Sequence, residues 1–365
     1  MASISFARGV PSPDILPVAE LAECAAAVIE AEGQTILNYG PAFGYLPLRE
    51  WVGAQHGVAA DRVLLTPGSL MGFNFVAQHL LGGGGAAVVE APTYDRTLGV
   101  LRGIGSAIEP VPLSKAGLDL DRVETLLGAD PPPKLLYVIP TFQNPSGRTL
   151  SAGQRHALVE LAAARGVMVF EDDPYRLVRY SGEPEPTLHE LAGGEGVIFA
   201  SSFSKTAAPG LRVGYLVLPE PLVVPLTAVA ASSYIAPAQL PQAALFELIR
   251  RGRFEHTLTQ TVDVLRARRD AMLAGLEAEM PEGTAWSEPD GGYFLWVDLP
   301  AGVDSSALLA DAARAGVTFV VGTDFFMTGE GQNAMRLAFS FPSVGEIQDG
   351  VAILGALVRE RAAAS

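Results

Sequence analysis

Six short apolar runs limit what this chain can become: VLLT (63–66), AAVVEA (86–91), LLYVIP (135–140), VMVFED (167–172), GVIFA (196–200) and RVGYLVL (212–218). Each is too short for an ordinary helix and apolar at nearly every position, so each reads as a strand covered on both faces. Segments of helical periodicity lie between them. One opens at Ser151 with Gln154 three residues on, a capping-box spacing, and closes at Gly166. Strands of this kind alternating with helices predict an α/β fold: a large domain with a mostly parallel mixed sheet. From about residue 242 the pattern turns to long helical periodicity, then returns to strands in YFLWVDL and AMRLAFSF. That change predicts a smaller α+β domain at the C-terminus. The expected spans are 1–38, an N-terminal segment packing with the small domain; 39–250, the large domain; and 251–365, the small domain. The Pro-rich stretch 11–17 reads as a crossing segment, and Gly82–Gly85 as a loop before a strand.

A chain of 365 residues has room for both domains. Its 40 acidic and 25 basic residues give a net charge of −15, which argues against nucleic acid or an anionic membrane as partner. The longest apolar stretches, such as LVVPLTAVAA (222–231), are short and Pro-interrupted, so no bilayer span is expected. The opening MASISFARGVPSP lacks the charged-then-apolar pattern of a signal peptide. The single cysteine, Cys24, leaves no internal disulfide and fits a reducing compartment. The expectation is a cytoplasmic enzyme whose few basic groups are placed locally for small anions.

Four motifs follow the predicted strands, where open α/β sheets bind ligands. TPGSLMGFNF (66–75) is a strand end, a tight Gly turn and a helix start, and the backbone N–H groups of Gly68, Ser69 and Leu70 would face an anion there. Taken alone, a plain capped helix explains it better. PTFQNPSGRTLS (140–151) is turn chemistry on any reading. FEDDPYRL (170–177) sets two acids at a strand end, costly if buried without a cation, and equally a solvated loop.

The fourth motif, SSFSKTAAPGLR (201–212), carries the most chemistry. On an extended backbone Ser202 and Ser204 share a face, Lys205 follows at the turn, and Arg212 returns from Pro209-Gly210. Two hydroxyls and a guanidinium converging suit a phosphate. A lysine held beside a phosphate-bearing ligand, with an acid available, suggests a Schiff base to pyridoxal 5′-phosphate. No metal site is read from the sequence.

All four motifs in this order give the chain a clear resemblance to the fold-type I pyridoxal-phosphate enzymes. Among these it is similar to the class I/II aminotransferases, and within them to the α-aminoadipate aminotransferase-like group, which includes the catalytic domain of MocR-type regulators. The similarity runs through ISFARGVPSP, NYGPAFGYLPLREWV, EAPTYDRTL, IPTFQNPSGRTLS, FEDDPY, SSFSKTAAPGLRVGY, DGGYFLWVDLP and MRLAFSF. It implies the aspartate-aminotransferase-like fold, pyridoxal phosphate as cofactor, amino acid and 2-oxo acid substrates, and a homodimer with shared active sites. Residue by residue, it implies that Lys205 bonds the cofactor and moves the substrate proton, and that Asp172 binds the pyridine nitrogen. Asn144 and Tyr175 would bond the ring oxygen, with Asn144 also close to the substrate, and Tyr94 would stack on the ring. Ser202, Ser204, Arg212 and the Gly68–Leu70 turn would hold the phosphate, joined by Tyr39 from the other subunit. Arg336 would take the substrate α-carboxylate, and Gly9 and Arg8 would lie beside the substrate.

The departures from the group's pattern cluster at the substrate entrance. Leu70 stands where many relatives have Gln, Arg8 where a small glycine is common, and Phe43 where the residue is often polar or small. Arg8 suggests a second anionic or polar group on the substrate; Phe43 and Leu70 suggest an apolar side chain. The expectation is a pocket of mixed character that accepts more than one amino acid. The competing reaction is another step on the same cofactor, such as β-elimination, decarboxylation or racemisation, because orientation alone selects the bond that breaks. A ligand-sensing regulator is a third reading; it would need a DNA-binding segment, and the net charge of −15 is expected to disfavour DNA.

Overall fold

The computed structural model describes residues 3–364, so residues 1, 2 and 365 of the expected spans lie outside the described residues. The six predicted strands form, with two more, one sheet in the spatial order Val63–Thr66, Gly214–Val217, Val197–Ser202, Met168–Asp172, Leu135–Val138, Ala86–Ala91, Ala107–Ser114, Gly117–Leu118. The five strands from Val197–Ser202 to Ala107–Ser114 pair in parallel. Gly214–Val217 runs antiparallel to both neighbours, and so does the edge hairpin strand Gly117–Leu118 to its one neighbour.

The pairing register explains why the runs are apolar throughout. Val89, Tyr137, Phe170 and Ile198 lie side by side and pack into one core layer. Their chain neighbours Val88, Leu136, Val169 and Val197 point the other way into a second layer. With a period of two, a sheet buried on both faces has no polar position to spare. The helix Ala152–Arg165 is N-capped by the Ser151 hydroxyl and ends at Gly166 in the left-handed region (φ 64°). The capping box is only half made. Gln154 sends its side chain to the carbonyls of Ala116 and Leu118, pinning the edge hairpin.

A second, four-stranded sheet holds Phe294–Asp298 and Ala334–Ala338 as its central antiparallel pair. The helix Arg253–Glu279 carries the chain between the cores: Phe254 packs with Leu65 and Phe199, whereas Leu265, Met272 and Leu276 pack with Leu295 and Leu337. The N-terminal segment is divided. Strand Ile4–Ser5 pairs with Val317–Thr318, and Arg268 bonds Ser12 and Asp14, so residues 4–14 join the small unit. The helix Val18–Ile36 departs from the expectation. Its Val28 and Ile36 pack on Ala243 and Ala244 of helix Gln239–Arg250, beside the large sheet, because its apolar face matches that helix. Among the described residues no helix is long and apolar enough to cross a membrane.

Candidate active site

Strand ends bring the site together. Gly214, at the start of its antiparallel strand, pairs with Thr66 on one side and Ser202 on the other. Arg212, two residues earlier, therefore emerges between the ends of two neighbouring strands. It sits in the left-handed region (φ 52°, ψ 45°), an uncommon conformation for a non-glycine residue that aims its side chain back over the sheet edge. Its Nη2 donates to the Pro67 carbonyl at 2.8 Å and its Nη1 to the Ser204 hydroxyl at 3.4 Å. Ser202 and Ser204 are joined through their hydroxyls at 2.9 Å.

The Gly68 turn closes this cradle. Gly68 has φ 90°, and a Cβ there would lie 2.4 Å from Arg212 Nη2. Its own N–H differs from the expectation: it is spent on the Thr66 carbonyl at 2.7 Å. The anion-facing donors of the turn are then the N–H groups of Ser69 and Leu70, the first of helix Ser69–Leu81.

Beside the cradle, Lys205 Nζ donates to the Gly9 carbonyl at 2.6 Å, and its own carbonyl accepts from Tyr293. Gly9 has to be glycine, since a Cβ would lie 2.4 Å from the Phe294 ring. Burial first, then the Arg336 and Arg212 cations, bring the Lys205 ammonium down to about 8. Asp172, at the end of the central strand, is buried and its pKa is pushed up to about 6, chiefly by desolvation. Its Oδ2 accepts from the Tyr137 hydroxyl at 2.8 Å, while Oδ1 is buried with no partner among the described residues. The neighbouring Asp173 is the structural acid of the pair, held by Thr141, the Arg176 backbone N–H and the Arg176 guanidinium.

Arg336 enters from the small sheet. It is buried between the rings of Phe294 and Phe325, at 4.2 and 5.0 Å, and bonds Asn144 Oδ1 and the Ala7 carbonyl. With its amide oxygen taken, Asn144 offers a ligand its amide N–H. Tyr175 packs edge-on to Phe294, and Tyr94 caps helix Asp95–Gly103. These groups line one cavity of about 560 Å³, within the usual range for a small-molecule site.

Arg8, expected in this chain's own site, does not line it, and neither does Tyr39, which is expected in the other subunit's site. Arg8 is exposed and lays its guanidinium over the Phe341 ring at 4.4 Å, so its long side chain turns outward along an aromatic face rather than inward to a substrate. Tyr39 is 79 % exposed, outside the cavity of its own chain. Phe43, expected at the entrance, packs instead against the large core beneath the Arg49 guanidinium. Conversely, the motifs do not single out Tyr137 or Tyr293. A phenol inside the aliphatic run LLYVI is the available signal for Tyr137, because a buried hydroxyl requires a partner. Phe325, in GTDFF, carries no such signal.

The donor set fits pyridoxal phosphate. It offers a phosphate cradle that a Cβ at Gly68 would fill, a buried carboxylate oxygen awaiting a donor, and a lysine between them. A family model described as aminotransferase class I and II matches residues 4–347. The 2-aminoadipate transaminase of Thermus thermophilus is 36% identical over 96% of this chain and 89% of that protein. The aromatic-amino-acid aminotransferase 1 of Thermococcus litoralis is 32% identical over 98% and 88%. The solved α-aminoadipate aminotransferase LysN of Thermus thermophilus, complexed with N-(5′-phosphopyridoxyl)-L-leucine, superposes with a TM-score of 0.94 at 34% identity, covering 100% of this chain and 94% of that one.

Proposed function

This chain belongs to the class I and II aminotransferases, and from that premise we propose how its residues divide the work and which side chains it accepts. It is a transferase that uses pyridoxal 5′-phosphate to move an amino group between an α-amino acid and a 2-oxo acid. When bound, the cofactor supplies an electron sink for the negative charge left at the substrate α-carbon. The observation that carries the division of work is that Lys205, Asp172 and Arg336 reach the same cavity from three separate strands or turns.

Ser202, Ser204, Arg212 and the N–H groups of Ser69 and Leu70 bind the phosphate. Asp172 would hold the ring nitrogen and favour its protonated form. Asn144 and Tyr175 would hold the ring oxygen, and Tyr94 would cover the ring. Arg336 receives the α-carboxylate and so orients the Cα–H bond toward Lys205. Burial, with the Arg336 and Arg212 cations, brings the Lys205 amine down to about 8, and in its neutral form Nζ would take the α-proton.

Val10, Leu70, Val320 and Phe325 give the cavity apolar wall, and Asp95, Arg96 and Asp324 also line it. This supports acceptance of more than one amino acid: apolar and aromatic side chains against the wall, and a longer acidic one reaching Arg96, whose side chain is 70% exposed beside Asp95. The names of the two relatives make 2-aminoadipate and the aromatic amino acids the first substrates to try. A homodimer in the cytoplasm completes the reading. Exposed Leu37, Tyr39, Leu46 and Ile235 are apolar surface on segments that meet where the Tyr234 hydroxyl bonds the Ala42 carbonyl, and Tyr39 would serve the partner's site. A fully active monomer in sedimentation would contradict this.

The test is the half-reaction. Purified holoenzyme mixed with one amino acid should convert its cofactor to the pyridoxamine form while the matching 2-oxo acid appears. Release of ammonia with the 2-oxo acid would assign a lyase instead.

A further inference from the structure

Tyr137 is a phenol at the centre of an otherwise aliphatic strand, and it is fully buried. Phe73 meets its ring edge-on at 5.0 Å, and Phe170, its register partner, stacks on it at 5.8 Å with the planes 17° apart. This packing fixes the ring, and with it the direction of the hydroxyl, which donates to Asp172 Oδ2 at 2.8 Å. A phenylalanine would fill the same ring space without the cost of burying a hydroxyl. The oxygen therefore matters for what it touches. Burial and the Asp172 charge both hold the phenol in its protonated form, so it is a permanent donor. The two carboxylate oxygens are thereby distinguished: Oδ2 is anchored by the Tyr137 hydroxyl, and Oδ1 makes no direct hydrogen bond among the described residues, although the nearby Ser69 hydroxyl also helps to lower the Asp172 pKa.

We propose that Tyr137 is a positioning residue for Asp172: its hydroxyl fixes the carboxylate's orientation and favours its ionised form, so that Oδ1 meets the cofactor ring nitrogen. This rests on the assignment of Asp172 to that nitrogen. The other charged or titratable groups around Asp172 are Asp173 next in the chain, Glu90 on a nearby strand, and Lys205, Tyr94 and Tyr175 on the cavity wall. None of them donates a hydrogen bond to Oδ2 in place of Tyr137.

The experiment follows the equilibrium dissociation of pyridoxal phosphate from the holoenzyme, by dialysis and absorbance, from about pH 5 to about pH 9, a window that brackets the titrations involved. Wild type, Tyr137→Phe, Phe73→Leu and Asp172→Asn are compared, with a melting temperature for each. The phosphate's own titration is common to all four and cancels. Tyr137→Phe should weaken cofactor retention about ten- to a hundredfold, as expected for one hydrogen bond to a charged group, and move its acid limb to higher pH. Phe73→Leu, which removes one ring contact but keeps the Phe170 stack and the hydroxyl, should lower the melting temperature and move the limb far less than Tyr137→Phe does. A Tyr137→Phe profile that superimposes on wild type, or a lowered melting temperature with an unmoved limb, would overturn the inference. If Asp172→Asn weakens retention and Tyr137→Phe does not, the Tyr137 inference alone falls. If Asp172→Asn changes nothing, the ring-nitrogen assignment falls and takes the inference with it.

Discussion

Arg336 Nη1 donates to Asn144 Oδ1 across 2.9 Å, joining the central pair of the small sheet to the loop that follows a strand of the large one. The residue assigned to the substrate carboxylate and the residue assigned to the cofactor ring oxygen are therefore one unit. The guanidinium is buried between two aromatic rings, where an unpaired carboxylate would be expensive.

Arg336→Ala should raise KM and lower kcat/KM by a similar factor for every amino acid, because the α-carboxylate is common to all of them. Loss of a desolvated bidentate charge pair is worth about 2–5 kcal/mol, or about 30- to about 5,000-fold in kcat/KM. Steady-state kinetics on leucine, phenylalanine and glutamate check this. A loss confined to one substrate would move the α-carboxylate elsewhere.

Arg8→Ala should behave differently. An exposed guanidinium on the Phe341 ring is worth about 0.5–1 kcal/mol of stability. The variant should melt slightly lower and treat glutamate, 2-aminoadipate, leucine and phenylalanine as wild type does. Selective loss on the two diacids would restore Arg8 to the substrate pocket.

Glu90 makes stability depend on pH. It is buried beneath the Asn144 loop, accepts from the Ile139 N–H and the Gln143 side chain, and desolvation pushes its pKa up to about 8. The folded chain thus holds this proton more tightly than the unfolded chain does. Its contribution favours folding at low pH and is lost as pH rises from about 4.3, the unfolded value, through about 8. Glu90→Gln, which cannot ionise, should melt higher than wild type at pH 8 by at least about 2 °C, with the gap closing toward pH 5. Parallel melting temperatures across that window would contradict the shift.

The strands and the clustering of Ser202, Ser204 and Arg212 were legible because each has a local cause. Apolar runs without alternation mark a sheet covered on both faces, and Ser202, Ser204, Lys205 and Arg212 lie within one turn of chain. Asp172 could be named, but its partner could not: Tyr137 lies 35 positions earlier, and only the parallel register of two neighbouring strands brings them together. Arg8 and Phe43 failed for the opposite reason. Their positions near the entrance were right in sequence, but side-chain direction decides exposure, and an aromatic surface drew Arg8 outward while the large core took Phe43. The helix Val18–Ile36 was assigned to the wrong core because its amphipathic face does not say which partner it meets.

The central claim is that Lys205 is the amine that bonds the cofactor, and this sequence allows an unusually clean test because its only other lysines are Lys115 and Lys134. Holoenzyme is reduced with borohydride, digested, and the phosphopyridoxyl adduct located by mass spectrometry, with Lys205→Ala treated alongside. The adduct should fall on the peptide containing Lys205 in the wild type. Lys205→Ala should carry none and lose turnover, while still binding cofactor through Ser202, Ser204 and Arg212. An adduct on Lys115 or Lys134 in the wild type, or turnover surviving in Lys205→Ala, would contradict the account.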